Sequence, residues 1–290
     1  MQKASARYLP RLYRLQYEPQ VRRALDEDLG RAGDITTDAL IPPESRSSAR
    51  IVSRREGCVA GLEIARTTFH QLDENLEWDL THPDGAMVTA GATLATVRGS
   101  TRAILSAERV ALNYLGRLSG IATATSRMVA SVEDYPTRVT CTRKTTPGLR
   151  ALEKYAVRAG GGTNHRFGLD DAVLIKDNHL AAVGSISRAV EQVRAAIGHM
   201  VKVQIEVDRL DQLEEALGCQ VDAILLDNMA PATLVEAVGK VGGRLITEAS
   251  GGVTPETAPR LAAAGVDLIS VGWLTHSAPA LDVSLEIESI

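Results

Sequence analysis

The chain predicts an α/β protein: an incomplete parallel α/β barrel of about six strands, preceded by an N-terminal α+β sandwich domain. Three observations lead there. Six apolar segments lie between Thr137 and Gly272, helix-patterned stretches separate them, and every segment ends in a charged, amide or glycine-rich tip. The tips carry Arg143-Lys144, then Lys176-Asp177-Asn178, Glu206-Val207-Asp208, Asp227-Asn228, Glu248 before Ser250-Gly251-Gly252, and Ser270-Val271-Gly272. Their spacing of roughly twenty to thirty-five residues fits one strand plus one return helix, so consecutive strands run parallel and all tips share one edge. An open doubly wound sheet has the same local pattern. A barrel is favoured because chemistry stands at every tip, whereas an open sheet concentrates its ligands at one switch point.

The elements follow in order. Val21 to Leu29 reads as a short amphipathic helix ending at Gly30, and Gly33-Asp34-Ile35-Thr36-Thr37 as a turn with an Asp/Thr cap signal. Strand-like runs follow at Ser48 to Ser53 and Gly57 to Gly61, then a helix from Leu62 to Leu72 and strands near Trp78 to Leu80, Ala86 to Val88 and Thr93 to Arg98. Arg102 to Ala130 is helix-rich. The six barrel strands are placed at Thr137 to Arg143, Ala172 to Lys176, Val201 to Val207, Ala223 to Asp227, Arg244 to Ala249 and Asp267 to Gly272. Runs such as Ala223-Ile224-Leu225-Leu226 are apolar at every position, as in strands covered on both faces. Helices are expected over Leu149 to Ala159, Ile186 to Ile197, Leu210 to Leu217, Ala232 to Val241 and Pro255 to Ala264. The division is expected at 115/116: residues 1–115, completed by 277–290, form the sandwich, and 116–276 the barrel.

With 290 residues, 44% hydrophobic and 23% charged, the chain can bury a large core. A formal net charge of −4 argues against broad nucleic-acid binding. Three cysteines without C-x-x-C spacing suggest no disulfide framework, and a reducing cytoplasm is the simpler expectation. No apolar run is long enough for a membrane span, and no membrane or nucleic-acid partner is expected.

Three constellations carry the chemistry. The first is cationic: Arg143 and Lys144, then His165-Arg166, then Lys176, with Pro147 and Gly148 stopping the strand after the paired cations. Arginine forks match carboxylates, so ends of successive parallel elements bearing such groups suit an anionic substrate. The second is acidic: Glu206 and Asp227 end neighbouring strands, a pattern that fits Mg²⁺ held by carboxylates together with substrate phosphates, or else structural ion pairs with Arg143 or Lys176. The third is the pair of turns Ser250-Gly251-Gly252 and Ser270-Val271-Gly272, where backbone N–H groups can approach a phosphate. Gly160-Gly161-Gly162 reads as a flexible approach to the site, and Arg109 beside Glu108 as a solvated salt-bridge partner. His70, His82 and His199 lack metal-ligand spacing.

Taken together, these segments resemble a known family. Thr142-Arg143-Lys144-Thr145-Thr146-Pro147-Gly148, Gly160 to Leu169, Ile175-Lys176-Asp177-Asn178-His179, Ile205-Glu206-Val207-Asp208, Leu225-Leu226-Asp227-Asn228, Glu248 to Gly252 and Gly272 to Ser277 are similar, in order, to quinolinate phosphoribosyltransferases. Asp28-Leu29-Gly30, Gly33 to Thr37 and Leu118 to Thr123 match the family's N-terminal motifs. The resemblance implies a pentosyl transfer from phosphoribosyl pyrophosphate to quinolinate with loss of CO₂, requiring Mg²⁺. It implies that Arg143, Lys144, His165, Arg166 and Lys176 clamp the dicarboxylate, with Thr142 and His276 among the substrate contacts. Glu206 and Asp227 would serve ribose and metal-pyrophosphate, and together with Lys144 form the catalytic set. Ser250, Gly251, Gly252, Ser270 and Gly272 would hold the 5′-phosphate. A homodimer is implied in which Arg109 enters the neighbouring subunit's pocket. Cys141, where an acidic residue is frequent, and bulky Trp273 depart from the pattern. A molybdenum-transport paralogue, a phosphosugar-binding module and a nicotinate-specific transferase are the alternatives; the first lacks a match to Ile175 to His179.

Overall fold

The structure is a computed structural model, and residues 9–289 are described. The chain first forms α1 (Glu18–Leu29), α2 (Ile35–Leu40), β1 (Arg46–Ser53), β2 (Gly57–Cys58), α3 (Leu62–Leu72), β3 (Glu77–Leu80), β4 (Met87–Val88), β5 (Thr93–Ser100) and α4 (Thr101–Ser131). It continues through β6 (Arg138–Thr140), α5 (Arg150–Ala159), β7 (Val173–Ile175), α6 (Asp177–Val183), α7 (Ile186–Ala196), β8 (Val203–Val207) and α8 (Leu210–Leu217). The last elements are β9 (Ala223–Asp227), α9 (Pro231–Val241), β10 (Ile246–Ser250), α10 (Ala258–Ala263), β11 (Leu268–Ser270), α11 (Trp273–His276) and β12 (Val283–Ser289). Two compact units result. One runs through Ser126 and takes in Thr145–Gly161 and the segment from Leu274 onward; the other comprises Arg127–Lys144 and Gly162–Trp273. The position 115/116 lies inside α4.

In the first unit an antiparallel sheet has the order β12-β1-β5-β3. Ile51, Leu94 and Val97 from its strands, Leu62 and Phe69 from α3, and Ile104 and Leu115 from α4 share one buried cluster. Each such side chain withdrawn from water contributes roughly 1.5–3 kcal/mol before entropy is charged against it. The segment expected to turn at Gly33 to Thr37 instead starts α2. Asp34 accepts the Thr37 N–H at 3.0 Å and satisfies one of the helix's orphan donors. Nor is Gly160-Gly161-Gly162 a flexible stretch where it leaves α5. Gly160 N–H donates to Ala156 at 2.9 Å, Gly161 N–H donates to Arg158 at 3.0 Å, and Gly160 is buried.

The second unit carries six parallel strands in the order β6-β11-β10-β9-β8-β7. The first strand in the chain thus pairs with the last, which wraps the sheet into a barrel, while the described residues show no ladder between the first strand and the second. One isolated bridge, Thr140 to Thr163, lies on that open flank. The barrel is therefore incomplete and six-stranded. Its helices begin where side chains can satisfy or dispense with terminal N–H groups: Ser185 accepts the Arg188 N–H at the start of α7, and Pro231 opens α9 one residue earlier than the apolar pattern suggests. α10 is shorter than its pattern. Thr254 and Thr257 bond each other's backbone over the expected first turn, and helix starts only at Ala258.

Candidate active site

Side chains alternate along a strand, and register partners in a parallel sheet share a face. In β8, Val203, Ile205 and Val207 are buried on one face while Gln204 and Glu206 stand on the other. Gln204 is in register with Leu174 and Ala223, Glu206 with Leu225, and Leu225 with Glu248. Asp227 is level with Ser250, and Ser270 with Thr140. These polar residues consequently line one face of the barrel wall. Strands apolar at every position are therefore not the rule here. β8 follows a period of two, because one face meets helices and the other a polar interior.

At the carboxyl edge of that face Lys176 Nζ lies 3.0 Å from Glu206 Oε2, so the structural ion pair weighed above is present. Helix α6 begins immediately after Lys176, so that tip is the mouth of a helix. Asp227 accepts a very short hydrogen bond from the Ser250 hydroxyl and another from Asn228 Nδ2 at 2.7 Å. Asn228 N–H donates to Ser250 O at 3.0 Å, and Asn228 sits in the left-handed region with φ 52°. Gly251 has φ 99°, and a Cβ there would fall 2.0 Å from Asn228 Oδ1. Carboxylate, amide and glycine turn thus interlock, and only glycine fits the third place. On the neighbouring turn Ser270 Oγ donates to Ala249 O at 3.4 Å. Trp273 Nε1 donates to Val253 O at 2.8 Å, tying the residue after Gly272 to the segment after Gly252.

The cationic segments follow the two edge strands, Arg143-Lys144 after β6 and Lys176 after β7. Thr142 Oγ1 accepts the Lys144 N–H at 3.0 Å, and buried Cys141 donates from Sγ to Asn164 Oδ1 at 3.3 Å. Arg166 Nη1 donates to Ala172 O at 2.7 Å, yet its buried Nε finds no hydrogen-bond partner among the described residues. Burial, followed by repulsion from the Arg143 guanidinium, pulls the Arg166 guanidinium down from its ordinary range, with Asp171 opposing. His165 turns inward. Its Nε2 is 2.9 Å from Gln204 Oε1 and 3.6 Å from Glu248 Oε2. No role was expected for either partner: Glu248 was marked only as part of a strand tip, and Gln204 was missed although Val-Gln-Ile-Glu-Val, read at period two, marks it.

Two expected residues lie in the other compact unit. Arg109 is 64% exposed and 3.8 Å from the Glu108 carboxylate, the surface pairing anticipated for it. It borders a cavity of about 360 Å³ with Asp28, Asn113, Tyr114 and Arg117. His276 is exposed, with Nδ1 2.6 Å from Ser277 Oγ. Among the described residues no three or more His, Cys, Asp or Glu side chains cluster as a metal cage. No described helix is long and apolar enough to cross a membrane.

Sequence profiles of the N-terminal and C-terminal domains of quinolinate phosphoribosyl transferase match residues 34–119 and 121–286. The chain belongs to the quinolinate phosphoribosyltransferase family. The two matches meet within α4. The chain is 46% identical over 261 residues to a probable nicotinate-nucleotide pyrophosphorylase [carboxylating] of Bacillus subtilis, covering 90% of each. It is 43% identical over 272 residues to the nicotinate-nucleotide pyrophosphorylase [carboxylating] of Mycobacterium leprae, covering 92% of this chain and 95% of that one. The crystal structure of NadC from Streptococcus pyogenes superposes with a TM-score of 0.94 at 38% identity, covering 97% and 99%. Human nicotinic acid phosphoribosyltransferase, at 13% identity and a TM-score of 0.60, shares the fold with this family member.

Proposed function

We propose that this quinolinate phosphoribosyltransferase joins quinolinate to phosphoribosyl pyrophosphate, releasing pyrophosphate and CO₂ and forming nicotinate mononucleotide for NAD synthesis. One observation carries the substrate assignment: two guanidinium groups, Arg143 and Arg166, repel each other, and a buried donor of the second finds no partner among the described residues. A dicarboxylate relieves that repulsion and supplies the acceptor. Arg143, Lys144, Arg166 and Lys176 bind and orient the two carboxylates, with Thr142 placing the Lys144 backbone. The turns at Ser250-Gly251-Gly252 and Ser270 to Gly272 offer backbone N–H groups to the 5′-phosphate.

Glycosyl transfer builds positive charge at the anomeric carbon and negative charge on the departing pyrophosphate. Glu206 and Asp227 would stabilise the first, and Mg²⁺ the second. Loss of the 2-carboxylate as CO₂ leaves an electron pair beside the newly quaternised ring nitrogen, which stabilises it until a proton from water fills the position, so the protein acts by positioning two polyanions and needs no covalent nucleophile. Mg²⁺ takes one or two carboxylates and completes its shell with phosphate oxygens, and Glu206 and Asp227 end neighbouring strands on one face of the sheet. Glu206 and Asp227 would hold it, and it would supply countercharge to the pyrophosphate. The working unit on this reading is a cytoplasmic homodimer with Arg109 reaching the partner's pocket. Purified protein is assayed with quinolinate, nicotinate or nicotinamide, each with phosphoribosyl pyrophosphate and Mg²⁺. Release of pyrophosphate and CO₂ is expected with quinolinate alone; turnover of nicotinate alone overturns the assignment.

A further inference from the structure

Behind the charged edge, three polar groups form a directional chain inside the barrel unit. Glu248 is 1% exposed and Gln204 8%. Gln204 Nε2 donates to Glu248 Oε2 at 2.8 Å, and its Oε1 faces His165 Nε2 at 2.9 Å. At the far side of the imidazole, the Arg166 backbone N–H donates to His165 Nδ1 at 2.8 Å. The donor and acceptor sense of every link is fixed by its neighbours. A nitrogen that accepts a backbone N–H carries no proton, so the ring proton is on Nε2 and is donated to the Gln204 carbonyl oxygen. That oxygen faces the ring because the amide's N–H₂ end is held by the buried carboxylate. A reversed amide would set oxygen against carboxylate and N–H₂ against N–H, with both contacts repulsive.

We propose that Gln204 and Glu248 are positioning residues, which lock His165 as the neutral Nε2–H tautomer and through it fix the backbone from which Arg166 presents its guanidinium. His165 then does not act as a cation toward substrate, since both ring nitrogens are already engaged within the protein. Its part is to hold Arg166 at the depth where the guanidinium meets a carboxylate. Glu248 acts from one step further back, by polarising the amide rather than by touching a reactant.

The tautomer part stands independently of the catalytic reading; the effect on substrate rests on it. Histidine ring ¹⁵N shifts of the full chain without ligands, with the His165 signals assigned by their loss in His165→Asn, should show the Nε2–H pattern at pH 7. Gln204→Leu takes away the acceptor of Nε2–H, so the Nε2 signal should lose its hydrogen-bonded shift and the quinolinate KM should rise about tenfold, the loss expected when one hydrogen bond to a positioning group is removed, with the phosphoribosyl pyrophosphate KM unchanged. Glu248→Gln keeps the volume but frees the amide's sense, and should give mixed tautomers and an intermediate KM. It also tests the idea if Gln204→Leu does not fold. An Nδ1–H or doubly protonated His165 in the native chain overturns the proposal, as does a folded Glu248→Gln or Gln204→Leu that keeps both the ¹⁵N pattern and the KM. A native chain with the Nε2–H signature but no quinolinate turnover leaves the lock standing and removes the catalytic reading instead.

Discussion

Arg166 is where the chemistry of single residues is most exposed to test. Its planar fork can engage a carboxylate through two parallel N–H bonds, whereas a lysine at the same place offers one point charge on a flexible stem. Arg166→Lys preserves charge, so any loss reports geometry. The quinolinate KM is expected to rise at least about tenfold with a smaller change in kcat, as befits a group that binds ground state and transition state alike. Steady-state kinetics at saturating phosphoribosyl pyrophosphate check this, and an unchanged KM would remove Arg166 from the clamp. The charged residues were legible in the sequence because Lys176, Glu206 and Asp227 each end an apolar run, and a strand end is visible in one dimension. Their partners were not. That Glu206 meets Lys176 while Asp227 meets Ser250 depends on inter-strand register. Gln204 and Glu248 each sit two residues before the edge residue on their face, Glu206 and Ser250, and only register brings them together.

Elements were placed well where helical periodicity is strong, as for α3 and α8, and less well where side chains compete with backbone, as at Thr254 and Thr257. Two elements give testable energetics. Asp222 precedes β9 and receives Lys202 Nζ at 2.8 Å, the Val203 N–H at 2.8 Å and Arg194 Nη2 at 2.7 Å, tying β8 and α7 to the start of the next strand. Burial alone would raise this carboxyl, but those donors outweigh it and bring it from 3.8 down to about 2. A folded pKa below the unfolded one means stability that is complete above about pH 4 and is lost as pH falls towards 2, worth about 2 kcal/mol. Urea unfolding of Asp222→Asn should accordingly lose about 2 kcal/mol at pH 7, with the gap to the native chain closing in acid. A gap independent of pH would refute the linkage. The second element is α4, where a Cβ on Gly120 would lie 2.1 Å from the Pro279 carbonyl oxygen. Alanine improves helix propensity by about 1 kcal/mol, but a backbone carbonyl cannot swing aside as a side chain can. Gly120→Ala is expected to lower the melting temperature, and a higher one would show that the C-terminal segment is free to shift.

For the whole molecule, the parallel six-strand repeat was readable because each strand–helix step leaves the same hydrophobic signature, and a shared carboxyl edge follows from that alone. Closure was not readable: the pairing of β6 with β11 joins residues about 130 positions apart, and no local pattern encodes it. Assembly lies further out of reach of local pattern. Arg109 presents the same ambiguity in sequence and in a single chain, because an exposed arginine 3.8 Å from a neighbouring glutamate is indistinguishable from ordinary surface. A functional test separates the readings without any appeal to shape. Arg109→Ala and Lys144→Ala should each be nearly inactive if both residues serve one site. If Arg109 acts within its own chain, mixing the two variants restores nothing, since every chain lacks one essential cation. If it crosses to a partner, a dimer of unlike chains has one site that lacks both cations and one that lacks neither. Random reassortment makes about half of all dimers mixed, so about a quarter of native activity should return. Native mass spectrometry of the mixture verifies that chains have exchanged; exchange without recovered activity would confine Arg109 to its own subunit's surface.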